Sequence, residues 1–439
     1  FAKNPKAEHL PLFEKVRYCQ MTAEEAKHKP EQTRFLSNDG FEVVNVSSSW
    51  TNAQSETWMA VNPTNPMNVI ATANDNAYLS GYDGWRMSSF YSKDGGNTWK
   101  HSPTPRNLGA YFTPHKTYSA TIFDPAVTFD SKGDAYYAYG FTETGKTVNT
   151  EEKNGVFVVK STNGGENWEG FSEEYPNRIV AITGDGFSSY NPFHDRYTMT
   201  ADISPTSKYK DNLYIAWRVF RGVEGVVVSV SSDGGNYWEP YKKVGEGGQA
   251  PMPACGPDGE VYIAYIDMNY STKTSSAMFV KSTNGGADFS NPIEAQKVFS
   301  IGTTDPTNGR FTLADKQKMR VSSVPQIAVD ISNGPNRGTI YIIQAGREFN
   351  EAGPYGVFLS RSTDGGKTWM KNKRIDDSPV RNDRFFPSIT CDPVTGIVSV
   401  FYYSSQNDPT NNEGVDGYVA ISGDGGNTFT IECLIELFI

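Results

Sequence analysis

Apolar and polar positions along the chain recur in pairs of short segments: an apolar run, a polar turn, then a run rich in Tyr, Val and Ile. The pairs are residues 58–61 with 69–71, 126–129 with 135–138, 199–202 with 213–217, 252–255 with 261–265, 327–329 with 340–343, and 389–391 with 398–401. Each segment is too short for a stable helix and has the β-branched and aromatic content of a half-buried strand. A third strand, such as 155–159 or 225–230, follows each pair. The spacing predicts antiparallel strands joined by short turns.

Each third strand runs into an octapeptide of pattern S-x-[D/N]-G-G-x-x-[W/F]. The copies start at Ser92, Ser161, Ser231, Ser282, Ser362 and Ser422 and end at Trp99, Trp168, Trp238, Phe289, Trp369 and Phe429. Asp-Gly and Asn-Gly supply the positive φ and the local acceptor of a tight reversal, and the closing aromatic starts a fourth strand facing the core. Asn163 and Asn284 stand where the other copies have Asp. An amide oxygen accepts the same backbone bonds without the charge, so the octapeptide reads as structural, not catalytic or metal-binding. Successive serines lie 51 to 80 residues apart, as expected of repeated units whose loops vary in length. The repeat predicts an all-β, six-bladed β-propeller of four-stranded antiparallel blades over residues 41–439. Residues 1–40 form a partly helical N-terminal extension, its helix over 10–29 ending before Pro30. Residues 41–46 alternate like a strand able to close the ring beside the last blade, and 433–439 read as the last outer strand.

Length changes meaning once the repeat is seen. A chain of 439 residues would ordinarily divide into two or three domains, whereas the repeat makes one ring. Its 25 Phe, 24 Tyr and 8 Trp argue against disorder and, with 41 Gly, against a helical bundle. The net charge of −10, without a basic run, excludes nucleic acid as a partner and requires local cations for any anionic ligand. No apolar stretch is long enough for a transmembrane segment. Cys19, Cys255, Cys391 and Cys433 are far apart, with no zinc spacing and no assignable disulfide. The start at Phe1 fits a mature product with an export signal removed, hence a secreted, cell-surface or periplasmic protein. Phosphate loops, nucleophile elbows, zincin motifs and dinucleotide fingerprints are absent. No cofactor is implied beyond a structural calcium ion among the loops.

The octapeptides resemble the Asp boxes, or BNR repeats, of the sialidase superfamily, over roughly residues 55 to 432. That resemblance implies an active site on the face away from the boxes. It also implies arginines gripping a carboxylate, a Tyr nucleophile beside a Glu, and an Asp acid/base. Carried onto this chain, it makes Asp75 the acid and Tyr403 the nucleophile, with Tyr355 as its alternative and Glu348 the neighbouring Glu. Arg196, Arg218, Arg320, Arg384, His194 and Tyr190 become substrate-binding. Ser55-Glu56-Thr57-Trp58 occupies the place where sialidases open the first blade with Phe-Arg-Ile-Pro. The implied function is an exo-acting glycoside hydrolase of sialidase (neuraminidase) type acting on a glycan or polysaccharide. Two alternatives stand beside it: a non-catalytic glycan- or protein-binding propeller, and a polysaccharide lyase using His194 and a Tyr.

Overall fold

The computed structural model describes residues 34–36, 42–47, 54–75, 86–102, 119–144, 154–169, 179–183, 192–222, 224–348, 350, 352–376 and 381–437. The helix expected over 10–29 and the loop residue Tyr190 lie outside them. The described residues contain strands and turns but no helix, and so none long and apolar enough to cross a membrane.

β1 (Arg34–Leu36) pairs with β2 (Glu42–Val44). Four-stranded antiparallel meanders follow. The first is β3 (Gln54–Val61), β4 (Val69–Asp75), β5 (Arg86–Ser92) and β6 (Lys100–Ser102). The second is β7 (Ser119–Phe129), β8 (Ala135–Thr144), β9 (Asn154–Ser161) and β10 (Ile179–Thr183). The third is β11 (Phe193–Ala201), β12 (Leu213–Phe220), β13 (Gly225–Ser231) and β14 (Lys242–Gly245). Next comes β15 (Gln249–Cys255), β16 (Val261–Asn269), β17 (Thr274–Ser282) and β18 (Ile293–Phe299). The crossing after it, unforeseen as a sheet, forms β19 (Thr303–Thr304), β20 (Phe311–Leu313) and β21 (Met319–Arg320). β22 (Gln326–Val329), β23 (Ile340–Arg347), β24 (Tyr355–Ser362) and β25 (Met370–Arg374) then join β15–β18 in one larger sheet through the single pair Phe299–Arg347. The last meander is β26 (Arg384–Cys391), β27 (Val398–Ser404), β28 (Val415–Ser422) and β29 (Thr430–Leu437).

The chain divides into two compact units, one of residues 44–263 and 282–291, the other of 1–43, 264–281 and 292–439. In the first unit, Ile70 and Met87 of the first meander pack on Val127, Tyr137 and Tyr139 of the second. The second packs on the third through Tyr136, Val156 and Val158 against Met199, Ile215 and Trp217. In the other unit, Tyr341, Ile343 and Leu359 meet Val398, Val400 and Tyr402. Each such buried side chain contributes about 1.5–3 kcal/mol.

The octapeptides share one hydrogen-bond pattern. Ser92 Oγ accepts from Gly96 N–H at 2.8 Å and donates to Asp94 Oδ1 at 2.8 Å, and Asp94 Oδ1 also accepts from Thr98 N–H at 2.8 Å. Asn163 and Asn284 do the same work by their amide oxygens, accepting from Asn167 N–H at 3.1 Å and Asp288 N–H at 2.9 Å. The turn also reaches its neighbour: Asn68 Nδ2 donates to Gly164 O at 3.0 Å, and Trp168 Nε1 to Ser89 Oγ at 3.1 Å.

At the opposite end of the meanders the first strands are bulged. Register is lost between Ser55 and Trp58 in β3, Phe123 and Ala126 in β7, and Asp195 and Thr198 in β11. Within these bulges Glu56, Asp124 and Arg196 have φ of 53°, 55° and 53°. Non-glycine residues rarely adopt such angles, and bulges re-aim side chains at functional sites.

Candidate functional site

The three bulges of the 44–263 unit bring together side chains from three successive meanders. Asp124 is the centre: its carboxyl hydrogen-bonds with those of Glu56 and Asp195. Its Oδ2 accepts from the backbone N–H of Arg196 at 2.8 Å. Its own N–H, removed from the ladder by the bulge, donates to Asn74 Oδ1 at 2.9 Å, while Asn74 Nδ2 donates to Glu56 Oε2 at 2.7 Å. Glu56 is exposed, and Asp124 and Asp195 are half-buried, so solvent reaches the cluster. Burial, reinforced by Asp195, raises the Asp124 carboxyl above the ordinary carboxylate range, against the lowering effect of its bonds with Glu56 and Arg196 N–H. Carboxyl groups in hydrogen-bond contact share a proton, and the raised Asp124 carboxyl can donate one at higher pH than a lone Asp.

Arg218 stands opposite Asp195 in the β11–β12 register. It is 8% exposed, its guanidinium lies over the Phe220 ring at 5.0 Å, and Nη2 is 3.8 Å from the exposed Glu224 carboxylate. Its Nε and Nη1 have no hydrogen-bond partner among the described residues. Burial pulls its pKa down, with Glu224 opposing. Buried donors are almost always satisfied, and a guanidinium with two nitrogens unpaired among the described residues has the donors to take a planar anion.

The other sequence-predicted residues of this unit are placed differently. Arg196 contributes its backbone to Asp124, and its side chain makes no hydrogen bond or ion pair among the described residues. Asp75 is buried at the end of β4, opposite Gln54 and Arg86; strand alternation sends it to the face opposite Asn74 and thus away from Asp124. His194 is fully buried. Its Nδ1 accepts from Trp217 Nε1 at 2.8 Å, its backbone N–H donates to Asn154 Oδ1 at 2.7 Å, and its carbonyl accepts from Tyr197 OH. Burial lowers its pKa to about 4. It packs against Trp217 and Tyr241, and its Nε2 has no hydrogen-bond partner among the described residues.

In the second unit Arg384 is fully buried, with Nε 3.0 Å from Asp376 Oδ1 and Nη1 donating to Asn382 O at 2.7 Å. The same carboxylate oxygen takes Arg374 Nη2 at 2.7 Å, and Arg374 lies 3.9 Å from Glu348. Tyr403 stacks on Phe385 at 5.6 Å within an apolar cluster, burial pushes its phenol up, and no carboxylate bonds to it among the described residues. Tyr355 receives Arg347 Nη2 on its hydroxyl at 2.8 Å. Arg320 is exposed on β21. Among the described residues no group of three or more His, Cys, Asp or Glu is arranged to hold a metal ion, and Cys255 and Cys391 are free thiols.

Glu56, Asp124 and Asp195 were not among the predicted site residues. Their signal is positional: each stands just before the apolar part of a first strand, and Asp124 precedes Pro125. Proline after an aspartate disfavours a regular continuation and marks the bulge that turns the carboxyl out of the sheet.

No protein-family model matches the chain, and no curated protein matches it. Among solved structures, NanB with Optactamide is similar with a TM-score of 0.51 and 11% identity, over 95% of this chain and 72% of that one. NanB is named elsewhere as a sialidase from Streptococcus pneumoniae. The Hadza microbial sialidase Hz136 is similar at TM-score 0.49 and 14% identity over 81% of this chain, which spans 64% of that sialidase's length. The GH93 α-L-arabinofuranosidase of Fusarium graminearum with arabinobiose is similar at TM-score 0.46 and 12% identity, over 93% of this chain and 98% of that one. At these identities the likeness establishes the fold: the chain has a sialidase-like propeller fold.

Proposed function

We propose that the chain is an exported, exo-acting glycoside hydrolase of sialidase type, a closed ring of six blades whose octapeptides are Asp boxes and whose residues 1–40 form an extension beside the ring. The observation that carries the catalytic part is the cluster of Glu56, Asp124 and Asp195, three carboxyls from three successive first strands sharing hydrogen bonds where solvent enters. Such a cluster supplies the general acid that protonates a departing glycosidic oxygen, a contribution of roughly 10²–10⁴ in rate. In this reading Asp124 takes the acid role in place of Asp75. Arg218, whose Nε and Nη1 have no partner among the described residues, binds an anionic group of the substrate, and Arg196 is a second cation for that group. The NanB sialidase, similar to this chain in fold, makes a glycosidic bond the first choice of substrate. Tyr403 and Glu348 as nucleophile and partner gain no support from the packing of Tyr403 against Phe385.

A panel of chromogenic sialosides, glucuronides and arabinofuranosides tests the proposal on wild type and Asp124→Asn. Turnover of at least one glycoside, reduced about 100-fold or more in the variant, is expected. Binding of glycans without turnover of any panel member would make the chain a binding propeller instead.

A further inference from the structure

We propose that Asn74 is a positioning residue for the Asp124 carboxyl, one buried amide that holds the Glu56 carboxyl and the Asp124 backbone at the same time. The inference rests on the reading of the Glu56–Asp124–Asp195 cluster as a proton donor.

The geometry makes specific demands on residue 74. Asp124 N–H is freed from the ladder by its bulge and must find an acceptor, since a buried unpaired N–H costs about 1–3 kcal/mol. Asn74 Oδ1 provides it at 2.9 Å. Glu56 lies in the exposed, bulged part of β3, and its carboxyl also hydrogen-bonds with that of Asp124. Asn74 Nδ2 fixes one of its oxygens at 2.7 Å. Only a side chain with both an acceptor and a donor at that length satisfies the two bonds together; Ser and Ala do not reach both, and Asp does so only when protonated. Asn74 is itself 4% exposed and registered in β4 between Ser55 and Met87, so the amide has a rigid base. The same device recurs one meander on, where Asn154 Oδ1 accepts from His194 N–H at 2.7 Å. Asn74 makes a second bond besides, from Nδ2 to the Glu56 carboxyl, and it is this bond that goes beyond support of the bulge.

The groups facing Asp124 are Glu56 from β3, Asp195 and the Arg196 backbone from β11, and Asn74 from β4, with Arg218 of β12 opposite Asp195. Asn74→Asp keeps the acceptor for Asp124 N–H; in its ionised form it loses the donor to Glu56 and adds a negative charge beside the cluster. A neighbouring negative charge favours the protonated acid. The basic limb of the kcat/KM–pH profile, where the general acid loses its proton, should therefore move up by about one pH unit. Near pH 6 more of the acid is protonated in the variant, yet kcat should fall about tenfold or more because the Glu56–Asp124 pair is no longer held in place, while KM stays within about twofold because substrate contacts remain. The thermal midpoint should stay within a few degrees, since the backbone bond survives. A wild-type profile in Asn74→Asp overturns the proposal, and so does a parallel loss of activity at every pH that tracks a lowered thermal midpoint.

Labelling of carboxyls by carbodiimide and an amine, read by peptide mass spectrometry across pH, needs no activity because the protonated acid is the reactive form. The labelling midpoint of Asp124 should be about one unit higher in Asn74→Asp than in wild type. Equal midpoints overturn positioning whether or not any glycoside is turned over. Absence of turnover by wild type together with a shifted midpoint removes the hydrolase reading and leaves the positioning role standing. In Asn74→Gln, which retains donor and acceptor one methylene further out, the midpoint should return part of the way toward wild type.

Discussion

A guanidinium nine-tenths buried with two nitrogens unpaired costs free energy, and among the described residues Arg218 offsets that cost with the Phe220 ring at 5.0 Å and a 3.8 Å contact to the exposed Glu224. Arg218→Met should therefore raise stability by about 1 kcal/mol or more, seen as a higher urea midpoint, while kcat/KM on an anionic glycoside falls at least about tenfold. Loss of stability together with unchanged kinetics would make Arg218 a structural ion-pair partner. His194 behaves differently. Its folded pKa of about 4 lies below the ordinary 6.5, so the unfolded chain binds the extra proton between those values. Its stability contribution is complete above pH 6.5 and is lost progressively as pH falls toward 4, by on the order of 3 kcal/mol. In His194→Gln, which can still accept from Trp217 Nε1, the fall in urea midpoint between pH 7 and 5 should flatten relative to wild type even if the midpoint at pH 7 is lower. Nothing in the sequence distinguished this histidine from a catalytic one. Tyr190, Asp195 and Arg196 surround it in sequence, but strand alternation sends His194 into the core and Asp195 to Asp124.

The octapeptides were legible because their chemistry is local. Serine, aspartate and two glycines within eight residues close a turn without help from the rest of the chain, and the six copies form the same bonds in either carboxylate or amide version. What the sequence could not show is how each turn meets its neighbour. Gly165 has φ +87°, and a Cβ there would approach Ile70 Cδ1 to 2.8 Å in the preceding meander. Gly165→Ala should therefore destabilise by about 2–3 kcal/mol from backbone strain and overpacking together, measured by urea unfolding. Asn163→Asp, by contrast, keeps the acceptor for Asn167 N–H and should change stability by less than about 0.5 kcal/mol. The bulged first strands were less legible. A one-residue insertion barely alters a hydrophobic pattern, yet it decides that Glu56 and Asp124 leave the sheet toward each other.

At the scale of the whole chain, the paired strand pattern matched the observed meanders segment by segment, because strands buried on both faces need long apolar runs that polar turns must interrupt. The crossing over 303–320 escaped prediction: β19 and β21 have two residues each, too few for periodicity to register. Net charge is the other property of the whole molecule, and it bears on function. At −10 with a pI near 5.2, the protein repels an anionic substrate at pH 7 although Arg218 attracts it locally. The two effects separate by range. Salt shortens the Debye length from about 30 Å at 0.01 M to about 8 Å at 0.15 M, which screens the distant surface charge but hardly a buried guanidinium. Over that interval kcat/KM for an anionic glycoside should rise roughly two- to fivefold at pH 7 and stay level near pH 5.2, where the net charge vanishes. A neutral glycoside should show no salt dependence at either pH. A decrease with salt at pH 7 would mean that steering toward local cations outweighs the net field, and that the loops around the cluster are more basic than the chain as a whole.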